Sequence, residues 1–371
     1  NRRTFVKTAG AAAAAAGGIE GILAARRAPA FAQGTKLHWV RWVDFIPESD
    51  VELKRQMPEA SKALGAEVTL ETINANDLQP RITAAVQSGS GADIFNFQYN
   101  WPHLYQNAVV DVSDVANALA KAEGGFYEVW GPSCQVNGKW LSVPHSIVGN
   151  AVAYRKSWLK EAGATQYPKT WDDARKLFAG LKKKGKPYGQ TLGHTFGDAP
   201  TFTYPMLWAF GGAETDKTGK KVVLESKGAL ESVKFMQAFW KECFDEGGLA
   251  WDDTNNNRAF HAGELSATLN GASIYIVAKR QKEKIKDDKG EPMWTDIDHA
   301  PLPAGPAGSY LLFLNQSHAV MKYGKNQKLA KDFLLWLHKP DNFGKWFTTQ
   351  EGDSVGSTKK WENDPMWGKL D

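Results

Sequence analysis

Downstream of residue 36 the apolar positions alternate between a two-residue and a three-to-four-residue repeat. LHWVRWVDF, Leu37 to Phe45, alternates as a strand, and a helical segment follows from Ser49. AEVTLETI is a second alternating strand, Asp77 opens a helix running through Val86, and ADIFNFQ is a short, continuously apolar strand of the buried kind. This β-α-β-α-β order predicts a largely parallel sheet with helices on both faces. Ligands of such sheets collect at the carboxyl ends of the strands, here Trp42 to Asp44 and Gln98 to Trp101.

Beyond this unit KWLSVPHSIVGNAVAYRK reads as long strands around Pro144, after which helices dominate. TWDDARKLFAGLKKKG is a helix with Thr170 as N-cap and Gly185 as stop. SKGALESVKFMQAFWKECFDEGG is another, ended by Gly247 and Gly248, with Leu230, Val233, Met236, Phe239, Trp240 and Cys243 as its apolar face. A last helix carries Leu329, Phe333, Trp336 and Leu337 at helical spacing. Two proline-marked stretches, Val143 to Asn150 and Ala300 to Gly308, divide the chain into α/β segments, as a chain crossing between two lobes would; the cleft between them is then the default binding site.

The 371 residues, 42% hydrophobic with 15 tryptophans, suffice for two cored domains, and flat aromatic faces suit the C–H faces of sugar rings. The net charge of +4 resides in the first 32 residues; the remainder carries 40 charges of each sign, which gives no basic surface for nucleic acid. In that N-terminal stretch RRTFVK precedes a weakly apolar Ala/Gly run and then RRAPAFAQG, where Ala30-Phe31-Ala32 has the form of a signal-peptidase site. The twin arginines resemble a Tat export signal, so residues 1–32 are expected to be removed and the protein exported. No cysteine stands beside the cleavage site to take a lipid anchor, and no run of about 20 strongly apolar residues follows residue 33 to span a bilayer. Cys134 and Cys243 could pair in an oxidising compartment, but Cys243 sits on an apolar helix face, where a small buried thiol is the simpler reading.

The stretch WDDTNNNRAFHAGELSATLNGAS, Trp251 to Ser273, invites a calcium reading, with Asp253, Asn255, Asn257 and Glu264 at EF-hand-like positions. Arg258 stands where the sharp turn needs glycine, so no metal is expected. The same residues read better as a polar cleft-lip loop, Asp253 to Asn257, capping a helix that starts near Arg258, followed by a strand and turn presenting Asn270 and Ser273. No zinc motif, nucleophile elbow or P-loop occurs, and SGSGAD precedes a strand where a dinucleotide turn would follow one. Glycosidase carboxylates have no short motif, so a secreted carbohydrate-active enzyme stays as an alternative.

Taken in order, SGSGADIFNFQYNWPHLY, GKWLSVPHSIVGNAVAYRKSWLKEAG, PKTWDDARKL, RAFHAGELSATLNGASIY and HAVMKYGKNQKLAKDFLLWL resemble a bacterial ABC-importer extracellular solute-binding protein of the maltose-binding-protein-like family, over nearly all of residues 36–367. The resemblance implies a two-lobed periplasmic-binding-protein fold (type II), each lobe a mostly parallel sheet flanked by helices. Lobe 1 would hold residues 33–147 and 302–340, and lobe 2 residues 148–301 and 341–371. It implies a periplasmic monomer, not an enzyme and without cofactor, that binds a sugar or sugar derivative, or else a polyol or glycerol-phosphate-type solute, and delivers it to membrane permease subunits. Contacts would fall at Trp42, Asp44, Asn100, Trp101, His145, Asn150, Asp198, Trp208, Asn256, Asn270, Ser273, Gln316 and Ser317. Family members continue with further C-terminal helices, so the resemblance also implies a truncated second lobe.

Overall fold

The computed structural model describes residues 34–370, so the twin arginines and the expected cleavage site lie outside the described residues. The chain runs through β1 (Lys36–Trp42), α1 (Pro47–Leu64), β2 (Glu67–Ile73), α2 (Ala75–Ser88), β3 (Ile94–Gln98), α3 (Trp101–Leu104), α4 (Ser113–Ala122) and α5 (Trp130–Cys134). A hairpin, β4 (Gln135–Val136) and β5 (Lys139–Trp140), leads to β6 (Val143–Val148), β7 (Ala151–Arg155), α6 (Lys156–Glu161), α7 (Trp171–Lys182), α8 (Asp198–Ala209) and α9 (Lys227–Cys243). Then come α10 (Asn255–His261), β8 (Ala267–Asn270), α11 (Ser273–Arg280), β9 (Ile297–Ala300), β10 (Leu314–Val320), α12 (Gln327–Leu337), α13 (Pro340–Gln350) and β11 (Ser354–Gly356).

Local chemistry sets most boundaries. Asn74 accepts from the Asn76 N–H and starts α2 two residues before Asp77. Thr170 accepts from the Asp173 N–H at the head of α7, as expected. Helix α9 stops at Cys243, ahead of the two glycines, which lie in a separate 3-10 turn. Its buried side is Ala229, Ser232, Phe235, Phe239 and Cys243; Leu230 and Val233, expected inside, are exposed and line an open apolar groove with Leu207 and Trp240. Both cysteines are buried and free, and the Cys243 thiol donates to the Arg175 carbonyl (3.3 Å).

The strands form two main sheets, one per lobe. The first has the order β11-β6-β10-β3-β1-β2, the second β8-β7-β9. The expected βαβ unit makes the parallel pairs β1–β2 and β1–β3, but β10 runs antiparallel to β3 and β6, and β11 antiparallel to β6. In the second sheet β7 is antiparallel to both neighbours. The first sheet is therefore mixed and the second antiparallel, where mostly parallel sheets were expected, because the chain enters and leaves lobe 2 through adjacent strands that run in opposite directions.

Two apolar clusters sandwich the first sheet, one around Trp39, Leu53 and Phe333 and the other around Val40, Phe97 and Trp101. Two more enclose the second, around Trp171, Tyr188 and Phe239 and around Phe260 and Ile274. Residues 341–370, expected in lobe 2, belong to lobe 1: Phe343, Trp346, Phe347, Trp361 and Met366 fill the cluster around Trp39. Burial worth about 2–3 kcal/mol per large ring holds this segment there. The chain passes between sheets from Val148 to Ala151 and again between Ala300 and Leu314, where the Asn150 amide donates to the Leu312 carbonyl (2.8 Å) and ties the two crossings together. No helix of the described residues is long and apolar enough to cross a membrane.

Candidate functional site

The carboxyl ends of β1 and β3 face the second lobe across an aromatic contact. Strand β1 delivers Trp42. Strand β3 ends at Gln98, and Tyr99 follows with φ +45°, a left-handed conformation that costs a non-glycine residue on the order of 1 kcal/mol. Asn315 enforces it from both sides: its carbonyl accepts the Tyr99 N–H and its amide donates to the Tyr99 carbonyl, each at 3.3 Å. The kink starts α3 and brings Trp101 beside Trp42, so strain is spent where the lobes meet.

Phe196, from the lobe-2 loop ahead of α8, inserts here. Its ring centroid lies 6.0 Å from Trp42, 6.5 Å from Tyr99 and 5.8 Å from Trp101, and its N–H donates to Asn76 Oδ1 at 3.3 Å. Next to it the Asp253 carboxylate accepts the N–H groups of Gly197 (3.2 Å) and Asp198 (3.0 Å), neutralising the exposed donors at the start of α8. A side chain at Gly197 would place its Cβ 2.7 Å from Asp253 Oδ2, so a larger residue here must push the carboxylate aside. Asp198 accepts from the Asn256 amide (2.7 Å). Burial holds the Asp198 carboxyl well above the usual range and raises Asp253 as well, with the second carboxylate adding to the effect at Asp198. The buried Tyr99 hydroxyl has no protein partner, and burial followed by these two aspartates raises it strongly.

A second junction grips α11 at both ends. Asp353, past the end of α13 in lobe 1, accepts the Ser273 N–H (2.7 Å) at the start of α11. Burial, with Asp44 adding repulsion, pushes its carboxyl up to about 7. At the other end Arg280 donates to Glu351 (2.9 Å), Glu48 (2.8 Å) and the Thr349 carbonyl (2.9 Å), all of lobe 1.

The expected contact residues divide accordingly. Trp42 and Trp101 line the aromatic junction, with Asn100 exposed beside them. Asp198 lies next to it, and Asn256 supports Asp198 from behind while bonding Thr268 Oγ1 (3.2 Å). Trp208 is half-buried, stacked on exposed Tyr204 (6.0 Å, 11°) and edge-on to exposed Tyr310, its indole donating to Glu214 (2.8 Å). Asn270 and Ser273 are buried and bond each other (3.1 Å), and the Asn270 amide donates to Asn257. Asp44 is committed to Arg41 (3.2 Å) and to the Ile46 N–H (3.0 Å). Asn150 serves the crossing. Gln316 and Ser317 are buried and paired within the first sheet, their side chains on opposite faces of it, and His145 is buried in the lobe-1 core against Trp346.

The asparagine-rich stretch is helical from Asn255, three residues before the expected start. Asp253 caps α8, and the calcium-like spacing is broken up: Asn255 accepts the Asp252 N–H (2.7 Å) and Glu264 is exposed. Sequence reasoning missed Phe196, Tyr99 individually, Tyr204, Asp353 and Arg280. Only Tyr99 left a trace, as part of the strand end Gln98 to Trp101. None of the expected contacts lines the open apolar groove on α8 and α9.

A profile of bacterial extracellular solute-binding proteins matches residues 52–351. A probable amino-acid ABC transporter periplasmic-binding protein, y4oP, of Sinorhizobium fredii (strain NBRC 101917 / NGR234) is 23% identical over 297 residues, 76% of this chain. The chain spans 64% of the length of that curated relative. Among solved structures, maltose-bound MalE3 of T. maritima superposes with a TM-score of 0.76 at 20% identity, covering 91% of this chain and 85% of its own. A ribitol-bound solute-binding protein of Agrobacterium radiobacter K84 gives 0.74 at 18% identity, with coverage of 91% and 84%. A sugar transporter structure from Arthrobacter chlorophenolicus A6 with bound laminaribiose gives 0.74 at 16%, with coverage of 90% and 82%. With the two-lobed fold shared with these structures and the profile spanning most of the chain, this protein belongs to the family of bacterial extracellular solute-binding proteins.

Proposed function

We propose that the protein takes up a sugar or sugar derivative between its lobes and delivers it to the transmembrane subunits of an ABC importer. The observation that carries this reading is the composition of the lobe junction. Aromatic rings from both lobes, Trp42, Tyr99 and Trp101 with Phe196, stand beside carboxylates of raised affinity for protons, and Tyr204, Trp208 and Tyr310 form a half-exposed ledge. Rings stack on sugar C–H faces, and carboxylates and carboxylic acids take hydroxyls as hydrogen-bond partners. A phosphate or an amino-acid carboxylate is held best by an unpaired cation or a free helix N-terminus, and the starts of α8 and α11 are already occupied by Asp253 and Asp353. The two arginines at the junction are each held by two carboxylates, Arg41 by Asp44 and Asp50 and Arg280 by Glu48 and Glu351. This favours a neutral polyhydroxyl solute over the glycerol-phosphate type. The maltose, ribitol and laminaribiose named for the similar structures are of that class.

In this reading residues 1–32 are a Tat leader, the protein works as a periplasmic monomer, and lobe 1 comprises residues 33–147 and 302–370. Thermal-shift screening against mono- and disaccharides, pentitols, glycerol phosphate and amino acids tests it. A true solute at 100 times its dissociation constant adds about 2.7 kcal/mol of stability. A response confined to amino acids, the class in the name of the Sinorhizobium relative, would overturn the sugar reading, and turnover of a glycoside would overturn the assignment as a pure binding protein.

A further inference from the structure

Three histidines converge inside lobe 1, away from the lobe junction. His145 comes from β6, His318 from the adjacent β10, and His338 from the residue that ends α12; their solvent exposures are 1%, 0% and 3%. The ring centroids of His145 lie 4.6 Å from His318 and 5.3 Å from His338, and one ring nitrogen from each of the three falls within 4.8 Å of the others. No protein group hydrogen-bonds either nitrogen of His145 or His318, or Nε2 of His338. Buried polar groups are ordinarily satisfied, so three orphaned imidazoles with ring nitrogens within 4.8 Å of one another call for a shared partner.

We propose that His145, His318 and His338 bind a single divalent d-block cation, zinc in the first instance. Imidazole nitrogen suits Zn²⁺, Cu²⁺, Ni²⁺ and Co²⁺, whereas Ca²⁺ and Mg²⁺ require oxygen ligands not found in the triad. The geometry is within reach. At the largest separation, 4.8 Å on every side, an ion at the centre stands about 2.8 Å from each nitrogen, so rings that move inward by about 0.7 Å attain a Zn–N bond length of about 2.1 Å. The nearby positive group, Arg41, is already matched by Asp50 (2.8 Å) and Asp44 (3.2 Å), so the surroundings are not cationic overall. A fourth position would fall to water. Full burial leaves no path for a substrate, so the ion is a staple: it joins two neighbouring strands to the end of α12, the point from which the chain continues into α13 and the ring cluster of Phe343 and Trp346.

The test uses untagged protein, unfolded in chelator, refolded with or without Zn²⁺ or Co²⁺, desalted, and assayed for metal by mass spectrometry, for cobalt by its visible spectrum, and for melting temperature. One ion per chain, strong visible bands from low-symmetry cobalt–imidazole coordination and a higher melting temperature are expected. His338→Phe, which keeps the stacking on Phe343, should lower affinity on the order of 100-fold. Should that variant not fold, the cobalt spectrum of the wild-type protein decides alone. Less than about 0.1 ion per refolded chain, a cobalt spectrum like that of the aqueous ion, or equal metal content in a folded His338→Phe variant overturns the proposal.

Discussion

Phe196 leaves its own lobe to pack among the rings of the other, and Phe196→Ala isolates that contact. The substitution removes a half-buried ring and its three aromatic pairings with Trp42, Tyr99 and Trp101. A buried Phe→Ala change costs about 3–5 kcal/mol and an aromatic pair about 0.5–1.5 kcal/mol, so partial exposure brings the expected loss to about 2–3 kcal/mol. The loss falls on the closed arrangement, because opened lobes expose the ring in any case. At 1.4 kcal/mol per tenfold, the ratio of closed to open molecules without solute should drop by about 30- to 150-fold. The grip on α11 by Asp353 and Arg280 is untouched and acts as an internal control. Small-angle scattering of solute-free protein, supported by energy transfer between labels on the two lobes, should show the variant more extended than the wild type, with saturating solute bringing both to the same compact form. Identical scattering profiles without solute would refute the claim that Phe196 holds the lobes together.

The Asp353 carboxyl keeps its proton to about pH 7 in the folded protein, against 3.8 for an ordinary aspartic acid. The folded state thus binds more protons across that window, and the contribution of this group to stability is full below about pH 4 and falls on the order of 1 kcal/mol per pH unit as pH rises to 7. Asp353→Asn keeps an acceptor for the Ser273 N–H and removes this slope, so the variant should gain on the wild type in urea melts at pH 8 and not at pH 4; parallel pH profiles would contradict the assignment. Gly197→Ala drives a Cβ to 2.7 Å from Asp253 and should cost about 1–3 kcal/mol in urea denaturation, while an unchanged midpoint would show that the loop yields freely. Arg155, fully buried, bonds Asp296 (2.7 Å) and Asp288 (2.9 Å); Arg155→Leu leaves the less exposed Asp296 without its counter-ion, held by the Ser157 N–H and hydroxyl alone, and should cost about 3 kcal/mol, whereas a loss under about 1 kcal/mol would mean that Ser157 and solvent satisfy it.

What the sequence revealed and what it concealed follow from the range of the forces involved. The βαβ unit, the Thr170 cap and the two crossings were legible because each element shows itself in a local period, cap or proline-marked strand, even though the strands then pair across 31 residues or more. The placement of β10 between β3 and β6, and of residues 341–370 in lobe 1, rests on pairings between segments far apart in the chain, which no local period encodes. At the site the difficulty is parity and partnership. His145 lies in a crossing strand, as a cleft residue should, but successive side chains of a strand point to opposite faces and this one turns inward against Trp346. Phe196 sits in the polar stretch GHTFGDAP, where an isolated phenylalanine reads as one more core residue. Its role exists only once Trp42 and Trp101 face it from the other lobe, and those residues are legible as strand ends precisely where Phe196 is not. A binding site built between two lobes is therefore half visible in sequence: the half at the ends of regular strands can be read, and the half carried by loops appears only when both lobes are folded.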